Sequence, residues 1–116
     1  MIDRTDILSE LVTFSKPLES LSHELSQFAW DYEGTPVMIT PVHLLKILDR
    51  FVQCELNAQE IEEWSNLIEG REDLEFSEET LSEFIYELAN PELEGKLNRT
   101  RAVEIMQELH PHYKVA

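Results

Sequence analysis

Apolar side chains recur at three- and four-residue steps along nearly the whole chain, and that spacing confines it to helices. Leu18, Leu21, Leu25 and Phe28 form one stripe. Leu44, Leu45, Ile47, Leu48, Phe51 and Val52 form another, the most apolar of all. Only three glycines occur, and no alternating β-branched run is present, which argues against a sheet. The punctuation agrees with helices. A first helix is expected over Asp6 to Phe14, with Thr5 as its cap and Ile7, Leu8, Leu11, Val12 and Phe14 supplying its apolar face. Pro17 ends it and suits the first turn of the second. Residues 30–40 read as a loop with a short extended piece at Val37-Met38-Ile39. Thr40 before Pro41 starts the third helix, which should stop near Cys54 to Leu56. Asn57 with Glu60 three residues later is a capping pair for the fourth, which buries Ile61, Trp64, Leu67 and Ile68 and ends at Gly70. Ser77 opens the fifth, with Leu81, Phe84, Ile85 and Leu88 inward and Asn90-Pro91 as its stop. Asn98 caps the last, which buries Ala102, Val103, Met106 and Leu109. The expectation is an all-α fold: a compact single-domain bundle or orthogonal array of about six short helices, with 110–116 a loose tail.

Charge is distributed very unevenly over this scaffold. Between Glu55 and Glu94 there are fourteen acidic residues and one basic residue, Arg71, a local net charge of −13. The preceding residues carry −4 and the following ones +2, against −15 for the chain. Crowding like charges opposes compaction, so such a segment serves either solubility or the attraction of a basic partner. The same balance disfavours nucleic acid and anionic membranes as direct ligands. The single Cys54 excludes an internal disulfide framework and fits a reducing compartment. Neither a signal-peptide pattern nor a membrane-spanning apolar run occurs, so a cytoplasmic setting is expected.

Enzyme signatures are missing. There is no glycine-rich phosphate loop and no nucleophile elbow. Cys54, at the end of an apolar helix, reads as inert packing rather than as a nucleophile. Glu72-Asp73-Leu74-Glu75 has the acids of a calcium loop, but Gly70 comes too early for that motif. Glu62, Glu63, Glu83 and Glu87 lack the Glu-x-x-His pairs of a di-metal bundle. His23 and His43 fall on separate helices, and His110 and His112 sit in the tail. The expectation is a binding protein without catalytic residues, cofactor or metal.

The stretch Leu44-Leu45-Lys46-Ile47-Leu48-Asp49-Arg50-Phe51 is followed by Cys54-Glu55-Leu56-Asn57-Ala58-Gln59-Glu60-Ile61-Glu62-Glu63-Trp64-Ser65-Asn66-Leu67-Ile68-Glu69. With Glu83-Phe84-Ile85-Tyr86-Glu87-Leu88-Ala89-Asn90-Pro91-Glu92-Leu93, it resembles small acidic helical immunity proteins of bacterial contact-dependent growth-inhibition and polymorphic-toxin systems. The resemblance spans roughly residues 41–93. It implies a cognate toxin domain as partner, often a basic nuclease, whose active site or substrate groove the protein masks. The alternative is an acidic interaction or adaptor module unrelated to toxins, including a mimic of nucleic-acid charge. Mimicry would need acids in rows at phosphate-like spacing, whereas here they interleave with apolar helix positions.

The expected partner contacts are Glu62, Glu63, Glu69, Glu72, Asp73 and Glu75, on the exposed side of the Asn57–Gly70 helix and the loop after it. Tyr32, beside Trp30, Asp31 and Glu33, is the expected aromatic anchor. Trp64 is expected in the core, with Ile61 and Leu67 on its stripe.

Overall fold

The computed structural model describes residues 4–28 and 36–109, and these fold mainly into helices. In chain order they form α1 (Arg4–Thr13), α2 (Leu18–Leu25), β1 (Val37–Ile39), α3 (Pro41–Val52), α4 (Ala58–Ile68), β2 (Leu74–Phe76), α5 (Glu79–Ala89), α6 (Pro91–Glu94) and α7 (Arg99–Leu109). The fold is all-α, with one small two-stranded sheet among the described residues. The Trp30–Glu33 loop and the 110–116 tail lie outside the described residues.

Side chains fix several helix starts. At α4 the Glu60 N–H donates to Asn57 Oδ1 at 2.8 Å, and the Asn57 N–H donates to Glu60 Oε1 at 3.0 Å. Two of the helix's free donors are thereby satisfied reciprocally. At α7 the Arg101 N–H donates to Asn98 Oδ1 at 2.8 Å. At α3 the extended Thr40 precedes Pro41, and the Thr40 N–H donates to His43 Nδ1 at 3.1 Å. Other starts differ from expectation. α1 begins at Arg4, so Thr5 stands within the helix rather than at its cap. Pro17 occupies the N-cap position of α2 instead of its first turn. Ser77 is drawn into the sheet, where its N–H donates to the Ile39 carbonyl at 2.9 Å, and α5 therefore begins after Glu78.

The His43 cap makes a pH prediction. Burial, with the Lys46 charge second, lowers the His43 pKa from its ordinary 6.5. The unfolded chain therefore takes up this proton first. Stability owed to the neutral ring is complete above 6.5 and is lost as pH falls through the folded value. Protonation at Nδ1 also removes the acceptor for Thr40. Urea midpoints should fall between about pH 7 and 5, and His43→Gln should shrink that fall. An unchanged pH profile in the variant would remove His43 from the cap.

Two helices close on a left-handed residue that is not glycine. Phe14 (φ 49°) follows α1, with Ser15 N–H to Glu10 O at 3.0 Å and Phe14 N–H to Leu11 O at 3.0 Å. Cys54 (φ 64°) follows α3, with Glu55 N–H to Arg50 O at 2.8 Å and Cys54 N–H to Phe51 O at 3.0 Å. Both are Schellman closures with a side-chain-bearing residue in the left-handed position. Arg50 ties the two ends together. Its Nη1 donates to the Phe14 carbonyl at 2.9 Å, its guanidinium stacks 5.3 Å from the Phe14 ring centroid, and Nε pairs with Glu55. Cys54 is exposed, which corrects its expected role in packing: the left-handed turn carries it off the inner face of α3. Cys54→Gly should raise stability by about 0.5–1 kcal/mol, strain relief exceeding the entropy that glycine adds to the unfolded chain. A lower melting temperature for that variant would contradict this account.

α3 packs against α7, α4 packs against α5, and α1 lies across α2, α3, α4 and β1. The core is a single cluster holding Leu8, Leu11, Leu21, Leu44, Leu48, Trp64, Leu81 and Ile105 among others. Trp64 is fully buried within it, and its Nε1–H donates to the Leu11 carbonyl at 2.7 Å. The inner side of α7 is Ala102, Ile105 and Leu109, while Val103 and Met106 are half-buried, a rotation from the expected stripe.

The stretch expected as an acidic loop after Gly70 is partly a strand. β1 and β2 pair in parallel, with Val37 opposite Leu74, Met38 opposite Glu75 and Ile39 opposite Phe76. α3 and α4 form the crossover between the strands. The pairing holds residues 72–77 to the body of the fold and decides which acids face outward.

Candidate partner-binding surface

Asp73 is the correction that matters most. Its side chain is 1% exposed, so it is no surface contact. Asp73 Oδ2 accepts from Arg4 Nε at 3.0 Å and Nη2 at 2.8 Å, while Arg71 Nε reaches Oδ1 at 2.8 Å and Arg71 Nη2 reaches Oδ2 at 3.0 Å. Burial alone would raise the Asp73 pKa, but the hydrogen bonds and charges of Arg71 and Arg4 prevail and lower it. The arrangement joins α1 to the turn before β2. Charge alone makes Asp73 look like a surface contact, but its burial depends on Arg4, 69 residues away in sequence.

The remaining acids are divided among separate concavities. Glu62 and Glu63 line a cleft of about 590 Å³ between α4 and the α5–α6 corner, with Glu87, Glu92 and Lys96. Glu62 is half-buried and Glu63 exposed, its Oε1 accepting from Gln59 at 3.1 Å. Glu87 is held by Arg101 through two 2.6 Å bonds, which fixes α7 against α5 and removes that charge from availability. Glu69 lines a second groove, of about 560 Å³, with Phe76, Glu83, Tyr86 and Glu94. Glu72 stands beside Arg71 and Asp73 at a third cavity of about 400 Å³, which Arg4 and Phe28 also line. Glu75 is exposed on β2. The six nominated residues therefore do not converge on one spot, and Tyr32 lies outside the described residues.

The aromatic residue that the structure does set among acids is Tyr86, 46% exposed on α5. The sequence carries a signal for it: Tyr86 lies off the inward stripe of Leu81, Phe84, Ile85 and Leu88, an aromatic ring on the polar side of an amphipathic helix. Leu93, 71% exposed, and Met38, 43% exposed, are the other large apolar side chains at the described surface.

Among the described residues no three of His, Cys, Asp or Glu gather where they could hold a metal ion, and no helix is long and apolar enough to cross a membrane. Comparison with protein-family models, curated proteins and solved structures found no match.

Proposed function

We propose that this chain is an immunity-type inhibitor, which binds a cognate basic toxin domain, a nuclease by preference, and masks its active site or substrate groove. The observation that carries the reading is the treatment of charge between Glu55 and Glu94. The one basic residue of that segment, Arg71, is turned onto the buried Asp73, so it does not offset the acids outside. Glu62, Glu69, Glu72, Glu75, Glu83, Glu92 and Glu94 make no side-chain hydrogen bond or ion pair among the described residues. A folded surface presenting these carboxylates steers a basic protein onto itself, with the gain mainly in association rate and partner choice. The resemblance over residues 41–93 supports the same partner class.

The test is growth rescue. A toxin domain encoded beside this gene should arrest cells when expressed alone, and co-expression of this chain should restore growth. The purified pair should form a complex whose association slows steeply with ionic strength, because exposed charges are screened beyond about 8–10 Å at physiological salt. A neighbouring toxin domain that still arrests growth in the presence of abundant folded inhibitor would refute the reading.

A further inference from the structure

The ends of α4, β2 and α6 and the outer side of α5 enclose the groove of about 560 Å³, and its features of three different kinds all favour a cation. The first is aromatic: the exposed ring of Tyr86 beside half-buried Phe76. A π-face attracts a guanidinium or ammonium group. The second is charge. Glu69, Glu83 and Glu94 line the groove without an ion pair among the described residues, and no basic side chain lines it there. The third is the C-terminus of α4, whose last carbonyls carry partial negative charge. Gly70 (φ 79°) turns the chain away at that end, and a Cβ there would meet nothing within 4 Å, so this side of the groove is open.

We propose that this groove receives an arginine side chain of the basic partner, its guanidinium stacked on Tyr86 within the ring of Glu69, Glu83 and Glu94. The nature of the partner rests on the inhibitor reading, whereas the site itself rests on the groove. An apolar occupant would strip water from three carboxylates and give nothing in return. An anion would be repelled. Lysine would meet the charge, but it lacks the planar face that stacks and the fork that bonds a carboxylate through two N–H groups. The Glu62–Glu63 cleft is a weaker competitor, because Lys96 lines it and Arg101 already holds its Glu87.

The test titrates the full, isotope-labelled chain with a short peptide carrying arginines at every third or fourth position, and separately with its lysine counterpart. Amide shifts should concentrate at Gly70, Phe76 and Tyr86, and the arginine peptide should bind several-fold tighter. Tyr86→Leu should lose about tenfold in affinity, whereas Tyr86→Phe should stay within about twofold. The combined change Glu69→Gln, Glu83→Gln and Glu94→Gln should weaken binding and flatten its salt dependence at unchanged helicity. Shifts centred on Glu62 and Glu63, equal affinity for the two peptides, or a folded Tyr86→Leu protein that binds like the native chain would each overturn the site. The two readings fail separately. If Tyr86→Leu neutralises the toxin domain with native affinity, the arginine site is wrong and the inhibitor stands. If the peptide seats on Tyr86 but no toxin domain is neutralised, the inhibitor is wrong and the site stands.

Discussion

Asp73→Ala should destabilise the fold by about 3–5 kcal/mol, the range for breaking a buried charge pair from one side. The carboxylate is 1% exposed and accepts four N–H bonds from two guanidiniums, so its loss strips Arg4 and Arg71 of this common counter-charge. Asp73→Asn should recover only part of the deficit, since the amide keeps an acceptor but not the charge. The acid limb of the stability curve gives an independent reading. The folded pKa lies below the ordinary 3.8, so the carboxylate's contribution is complete above that value and is lost as pH falls beneath it. In Asp73→Asn that part of the acid-induced loss should disappear. Urea denaturation at neutral pH, followed by far-UV circular dichroism, checks the magnitude. An Asp73→Ala protein within about 1 kcal/mol of the native chain would mean that the charge cluster is not a structural tie.

The same residue marks where the sequence stops being legible. Local chemistry was sufficient to place six of the helices, because stripes of Leu and Ile and caps such as Asn57–Glu60 act within one or two turns. It misplaced the starts of α1, α2 and α5, and Asn90-Pro91, expected only as a stop, also opens the short α6. Gly70 ends α4 as expected, for the same local reason. Elements that depend on distant partners were not readable. Leu74-Glu75-Phe76 has the alternation of a strand, but three residues carry too weak a signal, and its partner lies 37 residues earlier. Without that pairing, Asp73 reads as one more exposed acid in a charged loop. Reversing Glu72, Asp73 and Glu75 together to lysine would therefore confuse two effects, because Asp73→Lys places a third cation against Arg4 and Arg71. Glu72→Lys with Glu75→Lys is the variant that perturbs only exposed side chains. The Tyr86 groove is likewise a product of distant packing. Its walls come from the ends of three elements, and only their packing brings Glu69, Phe76 and Glu94 around one ring.

Trp64→Ala should cost about 3–5 kcal/mol, a large share of the 5–15 kcal/mol that holds an ordinary domain together. The indole is fully buried within the cluster, and alanine would leave a cavity that the surrounding helices cannot fill without moving. It also removes the 2.7 Å hydrogen bond to the Leu11 carbonyl, a link between α4 and α1 across 53 residues of sequence. Trp64→Phe separates these contributions. Phenylalanine keeps much of the apolar volume and loses the N–H donor. The Leu11 carbonyl retains the Phe14 N–H at 3.0 Å, so it is not left without a partner. Trp64→Phe should therefore cost only about 1–2 kcal/mol, the sum of one modest hydrogen bond and a smaller cavity. Urea midpoints for both variants, read by far-UV circular dichroism because the fluorophore itself is altered, give the comparison. If the two substitutions were equally damaging, the hydrogen bond and not the volume would dominate. If Trp64→Ala stayed within about 1 kcal/mol of the native chain, the packing of α4 on α1 would have to be reassigned. Because Trp64 lies beneath the surface that carries Glu63 and Glu69 on the same segment, its truncation should also loosen that surface. Binding of the arginine peptide by Trp64→Ala should then weaken in proportion to unfolding. Tyr86→Leu, by contrast, should weaken it at full stability.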